Sequence, residues 1–332
     1  MSGRYNRLLL GFSALALTGL AVFALTLGSY PLRMADLALL AADDGGDTMA
    51  ASILADIRLP RILLAVLCGM AMALSGVVLQ TLTRNPLAAP GLVGVEAGAG
   101  LTVLVAMILW PTGLPVVFYP LAALLGGVAV ALVIAGLAWR QGISALRLLL
   151  VGVGMTAILA AFSDLLITYG RIERVESALL WLSGSLHRAD WSQVRSQALW
   201  LLAAGVPVLL LYRQFNLFQL GEAVAGSRGL DTWRFQIVAL FFSVMLTASA
   251  VANVGTMSFV GLLAPHAARL LVGERQGVLL PLAAMIGAGI VLLGDTVGRT
   301  AVAPLQIPAG MVVAIIGAPY VLFLLSRKGG TT

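Results

Sequence analysis

The sequence predicts an all-α, polytopic membrane protein of about ten transmembrane helices, organised as a single domain over residues 1–332. Three observations predict it. Hydrophobic residues make up 60% of the chain and charged residues only 10%, whereas a water-facing domain carries about 25% charged residues to cover its surface. The apolar runs have bilayer length: Leu8–Leu27 contains no charge over twenty residues, enough to cross ~30 Å of hydrocarbon at ~1.5 Å per residue. Runs of this kind then recur along the whole chain, separated by polar stretches that hold most of the arginines.

Leu8–Leu27 follows Arg4 and Arg7 and is longer than the apolar region of a secretory signal peptide, so it reads as a retained first span. Further spans fall at Ile62–Leu82, Leu92–Leu109, Tyr119–Leu137, Leu148–Ile167 and Ala198–Leu211. They continue at Phe235–Val254, Phe259–Val272, Val278–Val297 and Met311–Leu325. Three of these are short for a full crossing, and Phe259–Val272 contains Pro265, His266 and Arg269. Short, proline-broken helices at membrane depth are tolerated where they are buried in protein or line a cavity. That pattern points to transport rather than simple anchoring.

Ten crossings place both termini on one side, and arginine placement selects that side. With cytoplasmic termini, twelve Arg and Lys residues lie inside, among them Arg84, Arg140, Arg147, Arg213, Arg228, Arg269 and Arg275. Eight lie outside: Arg33, Arg58, Arg61, Arg171, Arg174, Arg188, Arg195 and Arg299. Eight acids, including Asp36, Asp43, Asp44 and Asp47, also fall outside, and three (Glu222, Asp231 and Glu274) fall inside. The inner face is then about +9, twelve minus three, and the outer face near neutral, which predicts cytoplasmic termini.

The same composition excludes several chemistries. Lys328 is the only lysine and is followed by glycine, so no phosphate-binding loop of the Walker type exists, since its lysine precedes a hydroxyl residue. Any ATP driving this protein is hydrolysed by another chain. Cys68 is the only cysteine and lies in an apolar run, where it reads as a small buried hydrophobe. The two histidines, His187 and His266, lie far apart in the sequence, and a metal site needs three or four ligands in one place. No metal, cofactor or catalytic constellation is expected, and no nucleic-acid partner.

Four motifs carry the remaining polar chemistry. Arg58-Leu59-Pro60-Arg61 presents two permanently charged, planar forks around a proline outside the second span; such arginines either recognise carboxylates or anchor a helix end. Residues 80–91, QTLTRNPLAAPG, end one helix sharply and start the next, with Asn85 suited to cap the turn. Arg213 to Arg234 is the longest polar interruption on the inner side, and Leu217, Leu220 and Val224 recur in it at helical spacing, as in short amphipathic helices lying against a soluble partner. The last third holds FVGLLAPHAARLLVG (259–273), Asp295, Arg299 and QIPAG (306–310).

Taken in order, RLPR (58–61), SGVVLQTLTRNPLAAPGLVG (75–94), LGEAVAGSRGL (220–230), FVGLLAPHAARLLVG and QIPAG resemble the FecCD/BtuC-like permeases. These are the membrane subunits of type II ATP-binding cassette importers, which take up iron(III)–siderophore complexes, haem and cobalamin. The resemblance runs from about Arg58 to the C-terminus, and before Arg58 only the pattern matches. It implies a ten-helix permease of the bacterial inner membrane, not itself an enzyme. Its implied partners are the lipid bilayer, a second permease chain (identical or paralogous), two ATPase subunits beneath and a periplasmic substrate-binding protein above. It further implies that Arg58, Arg61 and Arg299 dock the binding protein, and the residue count above places all three outside. Gly221, Glu222, Ala223, Gly226 and Gly229 correspond to the coupling helices of residues 213–234, which fit a cleft on the ATPase. Ser227-Arg228-Gly229 departs from the commoner family pattern there. Asn85 and Leu87 correspond to a cytoplasmic gate, with a second gate segment near Ala145 and Leu146.

Intramembrane acids are costly and point to function; Glu96, Asp164 and Asp295 are expected to pair with arginines or to line a wet cavity. An ion-coupled secondary carrier using Asp164 or Asp295 is the alternative class, although such a carrier needs no docking platform. The block 137–143, LAWRQGI, followed by Arg147, looks most like siderophore members handling catecholates, with cobalamin and haem as alternatives.

Overall fold

The computed structural model describes residues 3–28, 49–110, 118–138, 145–303 and 305–328. Arg33, Asp36, Asp43, Asp44, Asp47, Arg140, Pro304 and most of the 137–143 block therefore lie outside the described residues, as do the side chains of Ala145, Arg327 and Lys328. The chain is helical throughout this description: α1 (Gly3–Thr26), α2 (Met49–Thr83), α3 (Val95–Leu109), α4 (Phe118–Ala138), α5 (Ala145–Tyr169) and α6 (Ile172–Leu182). There follow α7 (Trp191–Leu210), α8 (Tyr212–Gln219), α9 (Glu222–Ser227), α10 (Thr232–Val254), α11 (Val260–Val272), α12 (Gln276–Thr300) and α13 (Ala309–Lys328).

Apolar helices occupy all ten expected positions. Seven of them are long and apolar enough to cross a membrane, and those at Val95–Leu109, Val260–Val272 and Ala309–Phe323 are shorter. Two details differ from expectation. The sixth span, expected to be short at Ala198–Leu211, begins at Trp191 and runs 20 residues. Its first two turns look polar, but their groups are spent inside the protein: Gln193 Nε2 donates to the Asn253 carbonyl at 3.0 Å, and Gln197 Oε1 accepts from Asn253 Nδ2 at 3.0 Å. An Asp190–Gln193 capping box starts the helix. The amphipathic α6 was not expected; Arg174 ties it to the end of α3 by donating to the carbonyls of Ile108 and Trp110.

Helix α2 is the axis of the bundle, with α10, α11 and α12 packed on it. Small residues permit this. A Cβ on Gly69 would lie 2.4 Å from the Gly287 carbonyl oxygen of α12, and one on Gly76 would lie 1.8 Å from that of Gly261 on α11. Backbone-to-backbone approach of this kind is how helices associate where lipid removes the usual hydrophobic drive. Ser75 adds polar glue within the core, with its hydroxyl 2.7 Å from Ser243 Oγ and 2.6 Å from Thr247 Oγ1 of α10. Cys68 is fully buried in the same core.

Three turns meet at one level of the bundle. Gly310 N donates to Gly184 O at 2.8 Å, and Ser185 N donates to Val254 O at 2.9 Å. Gly255 has φ +78°, and a Cβ there would sit 2.1 Å from the Trp181 carbonyl oxygen, so only glycine fits both the conformation and the space. Here the QIPAG segment is locked against the turns that follow α6 and α10.

Candidate functional site

The polar chemistry of the bundle collects at its two ends. At one end, the structure brings Arg61 and Arg299 together around Asp295, with Arg58 close to Arg299. Arg61 Nε lies 3.0 Å from both carboxylate oxygens of Asp295, and Nη2 lies 2.8 Å from Oδ1. Its remaining Nη1 donates to Gln306 Oε1 at 2.9 Å, an oxygen also 3.0 Å from His187 Nδ1. Arg299 Nε sits 3.8 Å from Asp295, while its Nη1 donates to Leu27 O at 3.0 Å and its Nη2 to Ala24 O. Arg58 donates to Leu25 O.

Two guanidinium groups thus cap the last carbonyls of α1, where the helix dipole favours cations, and the third closes a buried ion pair between α2 and α12. All three arginines are buried, at 4%, 8% and 7% exposure, and Asp295 is at 1%. A one-turn π-helical segment, Ile53–Arg58, precedes Arg61 in α2. Such turns appear where a helix must re-aim its side chains.

At the opposite end, α2 closes on Arg84 in the left-handed conformation, φ 50°. Non-glycine residues seldom adopt it. Asn85 Oδ1 then accepts from Leu87 N at 2.9 Å, the side-chain turn its position predicted. Arg84 reaches outward: its guanidinium lies 5.4 Å from the Phe218 ring centroid and 3.7 Å from Glu222 Oε1. Gln236, at the start of α10, also donates to Glu222 Oε1 at 3.3 Å.

The intervening α8 and α9 form a small platform. Phe215 and Phe218 are fully buried and pack on Phe235, with ring centroids 5.0 and 5.4 Å away. Leu220 and Val224 stay exposed, at 65% and 43%. Gly221 and Gly229 bracket α9 at φ +112° and +86°, and Gly226 faces open space. Ala223 lies exposed beside Glu222 in the first turn of α9.

The other polar candidates disperse. Glu96 stands in the first turn of α3, where a carboxylate complements the helix dipole. Asp164 is exposed on α5. His266 packs edge-on to Tyr320 at 6.1 Å in α13. Among the described residues no three His, Cys, Asp or Glu side chains cluster as metal ligands. Among the described residues, only Asp295 of the three intramembrane acids is paired with arginine. Gln306, the hub beneath Arg61, lies within the QIPAG motif, whose local pattern gives no sign of these contacts.

Ten apolar helices among the described residues, with a compact platform at one end and buried arginines at the other, together with the comparisons below define a membrane permease of the ATP-binding cassette importer type, a transport subunit and not a catalytic one. The model of the FecCD transport family matches residues 15–327, and the chain belongs to that family. It is 38% identical to the achromobactin transport system permease protein CbrC of Dickeya dadantii over 84% of this chain and 80% of that one. It is also 38% identical to the Fe(3+) dicitrate transport system permease protein FecD of Escherichia coli, over 95% and 97% respectively. A solved metal-chelate type ABC transporter in an inward-facing conformation superposes with TM-score 0.86 at 30% identity, covering 96% of this chain and 98% of its own.

Proposed function

We propose that this chain is the permease of a ferric-siderophore importer, with catecholate complexes as its cargo, and that it works as a pair of permease chains served by two ATPase subunits and a periplasmic binding protein. The observation that carries this reading is the platform. Helices α8 and α9 hold two buried phenylalanines on one side and expose Leu220, Glu222 and Val224 on the other. A self-powered carrier has no use for an unpartnered amphipathic pair of this kind, whereas an ATPase cleft does. Glu222 and Ala223, framed by Gly221, Gly226 and Gly229, form the coupling surface, and Asn85 and Leu87 form the gate beside it.

Helix α5 supports the paired assembly. Only 11% of its apolar window is covered by its own chain, yet the exposed surface carries Asp164. Lipid does not solvate a carboxylate, so that surface faces a second permease and the wet pathway between them. The two relatives above carry differently named cargos at equal identity, 38% each, so sequence similarity alone does not select the chelate.

The arginine end receives the binding protein in this reading, through Arg58, Arg61 and Arg299. Their burial favours a second role beside docking, that of tying α1, α2 and α12 together. Titration of the binding protein against wild type and the Arg58→Glu, Arg61→Glu double variant, at low and high salt, tests the docking role. Binding-protein stimulation of ATP hydrolysis collapses in the variant if docking uses these arginines. Superimposable titrations from an assembled variant complex would leave only the structural role.

A further inference from the structure

The APHAARLLVG stretch of α11 has no role in the reading above, yet its end and the turn after it touch both the platform and the gate helix. The turn and the first residue of α12, residues 273–276, make two bonds to the platform: Gln219 Nε2 donates to Glu274 Oε2 at 3.2 Å, and Gln276 N donates to Asn216 Oδ1 at 2.9 Å. On its other side two bonds reach the last turns of α2. Arg269, which holds Glu274 through Nε at 3.1 Å, donates from Nη1 to Gln80 Oε1, and Gln276 Nε2 donates to Thr81 Oγ1 at 3.3 Å. The α2 end reached in this way runs directly through Arg84 into Asn85 and Leu87.

The two sides differ in burial. Gln80, Thr81 and Gln276 are buried at 2%, 3% and 0%, and the Arg269 side chain is 12% exposed. Glu274 is 65% exposed. The gate side is therefore fixed, with Gln80 also donating to Gly261 O at 3.4 Å, and the platform side is wet and adjustable. Bonds among buried polar groups are costly to break singly, so the buried half moves as a unit.

We propose that Arg269 and Gln276 are positioning residues that make the α11–α12 turn the mechanical link carrying displacement of the ATPase platform to the gate loop after α2. The link rests on the platform and gate roles proposed above. It acts through a wet contact at Glu274 and a buried one at Gln276. When the platform shifts, Glu274 and Asn216 drag the turn, and Arg269 and Gln276 carry the end of α2 with it.

The test uses the assembled permease–ATPase complex in nanodiscs with Ala89→Cys placed in the gate loop; the native Cys68 is buried and silent. Maleimide labelling is timed without nucleotide and after vanadate trapping. In the parent complex the two rates differ. The Glu274→Ala variant, cut on the wet side within the turn itself, keeps ATPase association and hydrolysis but loses at least about five-fold of that difference, the lower range of energetic coupling between sites. Thr81→Val, cut at the buried end, reduces it in the same direction. An undiminished labelling difference in both variants overturns the link, as does loss of the ATPase from the Glu274→Ala variant, which would make the turn a scaffold. Equal rates in the parent complex itself would instead remove the gate reading on which the link depends.

Discussion

Replacing Arg61 with alanine is expected to cost this protein far more than replacing a surface arginine of identical chemistry. Two ion pairs in the same chain make the comparison. Arg61–Asp295 has a contact of 2.8 Å and side chains 9% and 1% exposed. Arg234–Asp231 has a contact of 3.1 Å and side chains 78% and 54% exposed. The distances are alike, so burial decides. Removing Arg61 strands a buried carboxylate whose nearest remaining guanidinium, Arg299, is 3.8 Å away, and breaking a buried pair this way costs about 3–5 kcal/mol. Removing Arg234 leaves a solvated Asp231 that still caps α10 through Arg234 N, and exposed pairs contribute only about 0.2–1 kcal/mol. The assay is denaturant unfolding of the purified chain in detergent micelles at low salt and at 1 M salt. The Arg234→Ala loss should vanish at 1 M, where the Debye length is about 3 Å, and the Arg61→Ala loss should persist. Losses of similar size for the two variants, or an Arg61→Ala loss abolished by salt, would refute the reasoning.

Other outcomes follow from the same structure. Glu222→Arg places a cation beside Arg84, and the ATPase should dissociate or uncouple while the chain remains in the membrane; co-purification and uptake measure both. Gly76→Leu forces a side chain where even a Cβ would stand 1.8 Å from the Gly261 carbonyl. Overpacking of that kind costs about 1–3 kcal/mol or more, read as loss of folded protein in detergent. Reporter fusions after Thr332 and at Asp44 should report opposite sides of the membrane, and the same side would contradict cytoplasmic termini.

The spans were legible because lipid imposes length and composition together, and all ten apolar segments appear as helices. What escaped was set by tertiary pairing. Helix α7 looked short because Gln193 and Gln197 read as surface residues, whereas each bonds Asn253 of α10 inside the bundle. Helix α6 escaped because eleven residues holding Glu173, Arg174 and Glu176 resemble an exposed loop rather than a helix tied to α3. At the arginine end, the suspicion that Asp295 pairs with arginine was sound, but its partner lies 234 residues away in sequence. The burial of Arg58 and Arg299 depends on carbonyls at the end of α1 that no local pattern announces. The glycines of LGEAVAGSRGL, by contrast, signalled turns directly, since Gly221 and Gly229 adopt positive φ on either side of α9.

The most direct test of the importer assignment is uptake of radiolabelled ferric chelate into proteoliposomes containing the permease and its ATPase, with the binding protein outside. Uptake should require ATP within the ATPase-facing compartment, fall to background with Glu222→Arg, and be indifferent to dissipation of proton and sodium gradients. Uptake driven by an ion gradient without ATP or the ATPase would contradict the account and return Asp164 and Asp295 to the role of ion-coupling groups.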